Sequence, residues 1–433
     1  MKTATKSTDD RVKSRTGMRI TVMSLCATLA LAVAIQSAQA QTYQVIHNFT
    51  GADGELPDSL TIGRGGSLYG TTYLGGQANA GTVYKLTPKN SAWVFSSLYS
   101  FSGVADGANP NATVTIGPDG DLYGTTVGGG DSNGDGTVFK LTPPATACKT
   151  ALCPWTETVL HRFSGNPDGR WPYAAVAFDN AGNLYSTTFS GGSGGSGNNN
   201  GIVFKLTPSG GGWTESILYS FQAAGDGANP AAEVIFDNAG NLYSTAELWG
   251  PGSNGTVFRL TPSGGGWTED TLYPFQGGND GGYPYAGLIS DQSGNLYGAT
   301  TCDGSGAGGT AFQLTPSGGS WTFSLLHSFT WNGTCTYGPG PWYSLTMDQA
   351  GNLYGTTYEG GANGVGTVFK LAPSGGGWTY TDLYDFTPVS GGNSPYSNVV
   401  IDSQGNLYGT AAVGGTGSCG SNGWCGVVWE ITP

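Results

Sequence analysis

The chain has 433 residues, of which 76 are glycine and only 10% are charged, with a formal net charge of −13. That glycine content alone fits a low-complexity chain, but aromatics make up 12% and recur at fixed positions, so every segment has something to bury and disorder is excluded. The acidic balance repels nucleic acid and anionic membrane surfaces and leaves cations or neutral ligands such as glycans as partners.

The N-terminus opens with Lys2, Lys6, Arg11, Lys13, Arg15 and Arg19, followed by an apolar run from Ile20 to Ile35 and then Ala38-Gln39-Ala40. This order predicts a signal peptide over 1–40, cleaved near Ala40/Gln41. The run is short for a spanning helix, and no second apolar segment follows. The mature chain is therefore expected to be secreted or periplasmic, without membrane insertion, and a monomer. Residues 1–40 hold six basic and two acidic side chains, so the mature formal charge is −17. Six cysteines remain, an even number that in an exported chain reads as disulfides: Cys148–Cys153, Cys302–Cys335 and Cys419–Cys425. The competing zinc site lacks paired C-x-x-C spacing.

From residue 41 onward one unit recurs. Gly-x-Leu-Tyr-Gly/Ser appears seven times, at Tyr69, Tyr123, Tyr185, Tyr243, Tyr297, Tyr354 and Tyr408, spaced by 54, 62, 58, 54, 57 and 54 residues. Each copy carries four short apolar runs. The first follows a proline, as from Pro172 to Phe178, and the second is Asn183-Leu184-Tyr185-Ser186-Thr187-Thr188. The third is G-T-V-F-K-L-T-P, as from Gly136 to Pro143, and the fourth runs from a tryptophan to a phenylalanine, as from Trp213 to Phe221. Short β-branched and aromatic runs separated by Gly, Asn, Asp and Pro are strands and turns. Four antiparallel strands repeated seven times predict an all-β, seven-bladed β-propeller. The last copy stops after its third run, while a lone fourth run, Gln41 to Phe49, precedes the first copy. The N-terminal strand is thus expected to complete the last blade and close the ring, which hides the edges of an open array. The blades fall at about 50–101, 102–163, 164–221, 222–275, 276–329, 330–386 and 387–433 with 41–49.

N-L-Y-G-T-T, a Gly-Gly loop and G-T-V-F-K-L-T-P together resemble the Gloeo/Verruco ("GloVer") tandem repeat of exported bacterial proteins, over nearly all of 41–433. The D-x-x-G-N-L-Y stretch is similar, at the level of fold, to NHL-like propellers. The resemblance implies an exported propeller and no settled activity.

In a repeat, a residue present in every copy serves the blade, and a site is built from departures. His47, His161 and His327 each stand two residues before the phenylalanine of the fourth run, where other copies have tyrosine, so no histidine-based catalytic or zinc site is expected. Lys85, Lys140, Lys205, Arg259 and Lys370 share one position, and Glu157, Glu215 and Glu269 are the expected cross-strand partners in their blades. Asp179, Asp237, Asp291, Asp348 and Asp402 suit tight turns. Asp53, Asp106, Asp168, Asp226 and Asp280 suit turns also, or a carboxylate ring at the channel mouth. Asp131, Asn133 and Asp135 match the opening of a calcium loop, although Thr142 stands where that loop needs glutamate.

The departures are Trp171, Tyr283 and Trp342 beside the proline of the first run, and Tyr73, Phe189, Trp249 and Tyr358 after the second. Glu233, Glu247 and Glu359 lie near them. Aromatic platforms beside carboxylates suit a sugar, so Trp171, Trp249, Tyr283, Trp342 and Tyr358 are the expected ligand-binding set. The leading reading is a binding module for extracellular carbohydrate. A lyase or hydrolase using Glu233, Glu247 or Glu359 is the alternative, and a structural envelope protein the third.

Overall fold

The computed structural model describes residue 1 and residues 41–145, 155–194, 199–333, 335, 338–388, 391–419 and 425–433. Residues 43–432 form one compact unit of seven four-stranded antiparallel sheets. In the third blade, the strands in order from the centre outward are Ala177–Phe178, Leu184–Thr188, Ile202–Ser209 and Gly212–Ser220. The turn between the first two is built by one carboxylate. Asp179 accepts the backbone N–H groups of Ala181 and Asn183 at 2.9 Å on one oxygen, and the Asn183 side chain at 2.6 Å and the Tyr185 hydroxyl at 3.0 Å on the other. Asp237, Asp291, Asp348 and Asp402 repeat the arrangement, which is why D-x-x-G-N-L-Y recurs.

Seven core clusters hold the sheets together, each lying between neighbouring blades. The threonine after Leu-Tyr-Gly/Ser adds a bond across the seam: Thr71 donates to the Ala112 carbonyl at 3.1 Å, Thr187 to Ala232 at 3.0 Å and Thr245 to Ala286 at 3.0 Å. Each such bond contributes about 1 kcal/mol net. In the seventh blade Val400–Ile401, Leu407–Ala411 and Val427–Thr432 are completed by Thr42–Asn48. Tyr43 of that strand stacks on Tyr384 of the sixth blade at 3.7 Å, and Thr410 of the seventh bonds the Asp58 carbonyl of the first at 2.9 Å. The ring is closed.

Two sequence expectations need correction. Lys205 lies opposite Ser216, while Glu215 lies opposite Leu206. A one-residue offset puts a side chain on the other face, so the lysines do not pair with the fourth-strand glutamates. They lie over tyrosine rings instead, as Lys205 over Tyr185 at 5.4 Å, or meet aspartates: Lys140 with Asp121 at 2.5 Å and Arg259 with Asp270 at 2.8 Å. The second aspartate set does not ring the channel. Asp106 accepts from Tyr99, Asp226 from Tyr219 and Asp280 from Tyr273, while Asp53 and Asp168 lie 3.0 Å from His47 and His161. All of these partners stand on outermost strands. Cys302–Cys335 and Cys419–Cys425 are disulfides, with Cα atoms 5.7 and 5.1 Å apart. Cys148 and Cys153 lie outside the described residues.

Candidate functional site

The first strand of each blade enters the channel through its proline, and alternate residues beyond it share a face. The residue after the proline is Asn111, Tyr173, Ala231, Tyr285, Trp342 or Tyr396 in blades two to seven, and Asp58 in the first. Two residues further on come Thr113, Ala175, Glu233, Gly287, Ser344 and Asn398, which line a small chamber of ≈ 50 Å³. Above it, on the face of the loops that join the second and third strands, opens a mouth of ≈ 410 Å³. It is lined by Tyr73, Tyr173, Trp342, Tyr358 and Tyr396 with Asp58 and Asn111.

Trp342, Tyr358 and Tyr396 form a connected layer with Tyr285 and Tyr343. Tyr285 and Trp342 have centroids 4.8 Å apart, Trp342 and Tyr396 5.4 Å, Tyr343 and Tyr396 5.1 Å, and Trp342 and Tyr358 6.2 Å. Burial drives the Tyr285 and Tyr343 phenols well above their usual range, so they stay neutral and donate hydrogen bonds. Asp58 is 2% exposed. Burial pushes its carboxyl up to about 6, opposed by the nearby Tyr343 phenol and by hydrogen bonds from the Ser59 backbone and hydroxyl.

The mouth brings together Trp342 and Tyr358 of the expected aromatic set. Trp171 and Trp249 stand on loops of the same face, 37% and 55% exposed. The Arg170 guanidinium lies 4.5 Å from the Trp171 ring. Tyr283 precedes its proline, as Trp171 does, and so falls outside the channel-facing alternation.

Of the three glutamates, Glu233 and Glu247 both lie near Tyr173 and Tyr285, and Glu359 lies in another groove. Glu233 accepts from Ser344 at 2.6 Å in the lower chamber. Glu247 is pushed up to about 7 by burial and acts electrostatically on Tyr173 and Tyr285. Glu359 lines a separate groove with His327, Tyr380 and Asp382. In the expected calcium loop, Asp131 spends its carboxylate on the N–H groups of Asn133 and Gly134 at 2.9 Å. Asp135 is buried, and burial and Asp131 raise its carboxyl while Arg170 opposes them. Both backbone bonds fall on one Asp131 oxygen, as in a turn closed by its own aspartate, and the other oxygen lies 3.4 Å from the Asn133 side-chain nitrogen.

Sequence reasoning passed over Asp58, Asn111, Tyr173, Tyr285, Tyr343 and Tyr396. The signal was available: the position after the proline is aromatic in four of seven copies, where a blade needs no particular residue.

Fold and channel together define a seven-bladed propeller in which some departures from the repeat, Tyr73, Trp342 and Tyr358 among them, meet at one mouth. The Gloeobacter/Verrucomicrobia repeat model matches residues 33–193, 152–340 and 304–433, and the chain belongs to that family. No curated protein matches it. Among solved structures it is similar to a putative 6-phosphogluconolactonase from Bacteroides uniformis, at 18% identity and TM-score 0.49 over 80% of this chain and 88% of that one. A gluconolactonase from Xanthomonas campestris is similar at 13% identity and TM-score 0.40, over 88% of each chain. A protein of unknown function from Dyadobacter fermentans is similar at 12% and 0.44, over 79% of this chain and 98% of that one. No statement about chemistry follows from likeness at this level.

Proposed function

We propose that this protein is an exported carbohydrate-binding propeller that seats a sugar in the channel mouth. The observation that carries the reading is the ≈ 410 Å³ cavity walled by Tyr73, Tyr173, Trp342, Tyr358 and Tyr396 with Asp58 and Asn111 among them. Flat rings match the apolar faces of a pyranose, and a few fixed polar groups orient its hydroxyls. Export is supported by the basic and apolar leader over 1–40 and by two disulfides. No helix among the described residues is long and apolar enough to cross a membrane.

Binding without turnover is favoured because the described lining of the mouth holds a single carboxyl group, that of Asp58, whereas glycosidic cleavage needs two flanking one bond. A glycan array read together with product analysis tests this. Binding is expected with no new reducing or unsaturated ends, and Trp342→Ala and Tyr358→Ala are each expected to weaken it by about tenfold. New chain ends would establish the enzymatic alternative, and binding indifferent to both substitutions would move the site elsewhere.

A further inference from the structure

Every blade but the first places a neutral residue after its proline; the first places Asp58. This carboxyl is buried to 98% against the floor of an aromatic cavity, and among the described residues no Lys, Arg or His side chain lines that cavity. Its hydrogen-bond partners are neutral, the Ser59 N–H at 2.6 Å and the Ser59 hydroxyl at 3.1 Å, and the nearby Tyr343 phenol is neutral too. A buried carboxylate without a cation is costly and is ordinarily paired. The faces of the surrounding rings carry the negative part of the aromatic quadrupole and attract a cation within about 6 Å of the centroid. Both effects act at one place, and the mature charge of −17 favours the approach of a positive ligand.

We infer that the mouth is a cage for an ammonium group, so the sugar it takes is an amino sugar with a free amine. The ligand supplies the positive charge that Asp58 lacks, its ammonium turned to the carboxylate and its C–H faces to Trp342 and Tyr358. An N-acetylated sugar brings no charge and leaves the carboxyl unpaired. A uronic acid brings the wrong one. The inference rests on the carbohydrate reading above and deepens it.

Calorimetric titration of the full mature protein at pH 7 tests it, with glucosamine tetramer, N-acetylglucosamine tetramer, cellotetraose and tetramethylammonium as probes. Glucosamine tetramer is expected to bind at least about tenfold tighter than the two neutral tetramers. Asp58→Asn is expected to bring that ratio close to one, and because a ratio is read, a general loss of affinity does not imitate the result. Tyr358→Ala, at the rim, is expected to weaken both glucosamine tetramer and tetramethylammonium. Cellotetraose binding as tightly as glucosamine tetramer would overturn the cage and leave the carbohydrate reading standing. Tetramethylammonium binding with no affinity for any tetramer would keep the cage and overturn the carbohydrate reading. Failure of all four probes would overturn both.

Discussion

The residue before each channel proline has a positive φ in six blades: Leu56 at 55°, Asn109 at 58°, Trp171 at 58°, Asn229 at 59°, Tyr283 at 58° and Ser394 at 51°. Asparagine tolerates this conformation, but tryptophan and tyrosine do so at a cost of about 1 kcal/mol. Trp249, at φ 61°, stands where the equivalent residues of other blades are Gly75, Gly129, Gly191, Gly360, Gly414 and Asp303. A half-exposed tryptophan in a glycine slot is strain the blade does not need, and it sits on the face where the channel mouth opens. Trp249→Gly is expected to raise stability by about 0.5–1 kcal/mol in a denaturant titration. A drop would show that the ring packs for structure.

The same residues show what could be read without coordinates. Trp171, Trp249 and Tyr283 stand out in the sequence because they break a repeat. Tyr173, Tyr285 and Tyr396 break it just as clearly, one position past the proline, but in a stretch such as Pro172-Tyr173-Ala174-Ala175-Val176 the alternation fits either face until a neighbouring strand fixes it. Asp58 was harder still. Its blade has one residue fewer between proline and the next core residue, Leu60, and the strand carries a register shift there.

At the level of strands, the seams between blades are of two kinds. In four of them, rings on neighbouring fourth strands stack: His47 on Phe95 at 4.2 Å, Tyr273 on Phe323 at 4.7 Å, His327 on Tyr380 at 4.1 Å and Tyr384 on Tyr43 at 3.7 Å. In three consecutive seams the later ring is replaced by a glutamate facing an aspartate: Glu157 with Asp106, Glu215 with Asp168, and Glu269 with Asp226. Burial first, and then that aspartate, pushes the three glutamates up to about 7, 8 and 7. Between an unfolded value near 4.5 and these values, the folded state keeps protons that the unfolded chain has released, so stability falls as pH rises through that window. On the acid side the sign reverses. Burial works against Asp179, Asp237, Asp291 and Asp348, but bonds from asparagine, backbone and tyrosine hold them below their usual value, and their contribution is lost as pH falls. The melting temperature is expected to be higher at pH 5 than at pH 8, with a smaller gap in a Glu157→Gln, Glu215→Gln, Glu269→Gln variant. An unchanged gap would place the alkaline sensitivity elsewhere.

For the molecule as a whole, the channel mouth exists only because the ring shuts. Asp58 belongs to the first blade and Tyr396 to the seventh, and these two blades meet through Thr410, Asn398 and the cluster around Phe49, Tyr84 and Cys425. The strand Thr42–Asn48 completes that seam, with Phe49 donating its N–H to the Gly426 carbonyl at 3.1 Å. Repetition made the number of blades and the closing strand readable in advance. The mouth was only half readable, because it is assembled from one residue per blade across the whole chain. The most direct measurement is therefore a comparison of residues 41–433 with residues 50–433, by thermal melting and by titration with oligosaccharide. Closure by that strand requires a large fall in melting temperature for the entire ring together with loss of binding; an unchanged melting temperature would contradict it.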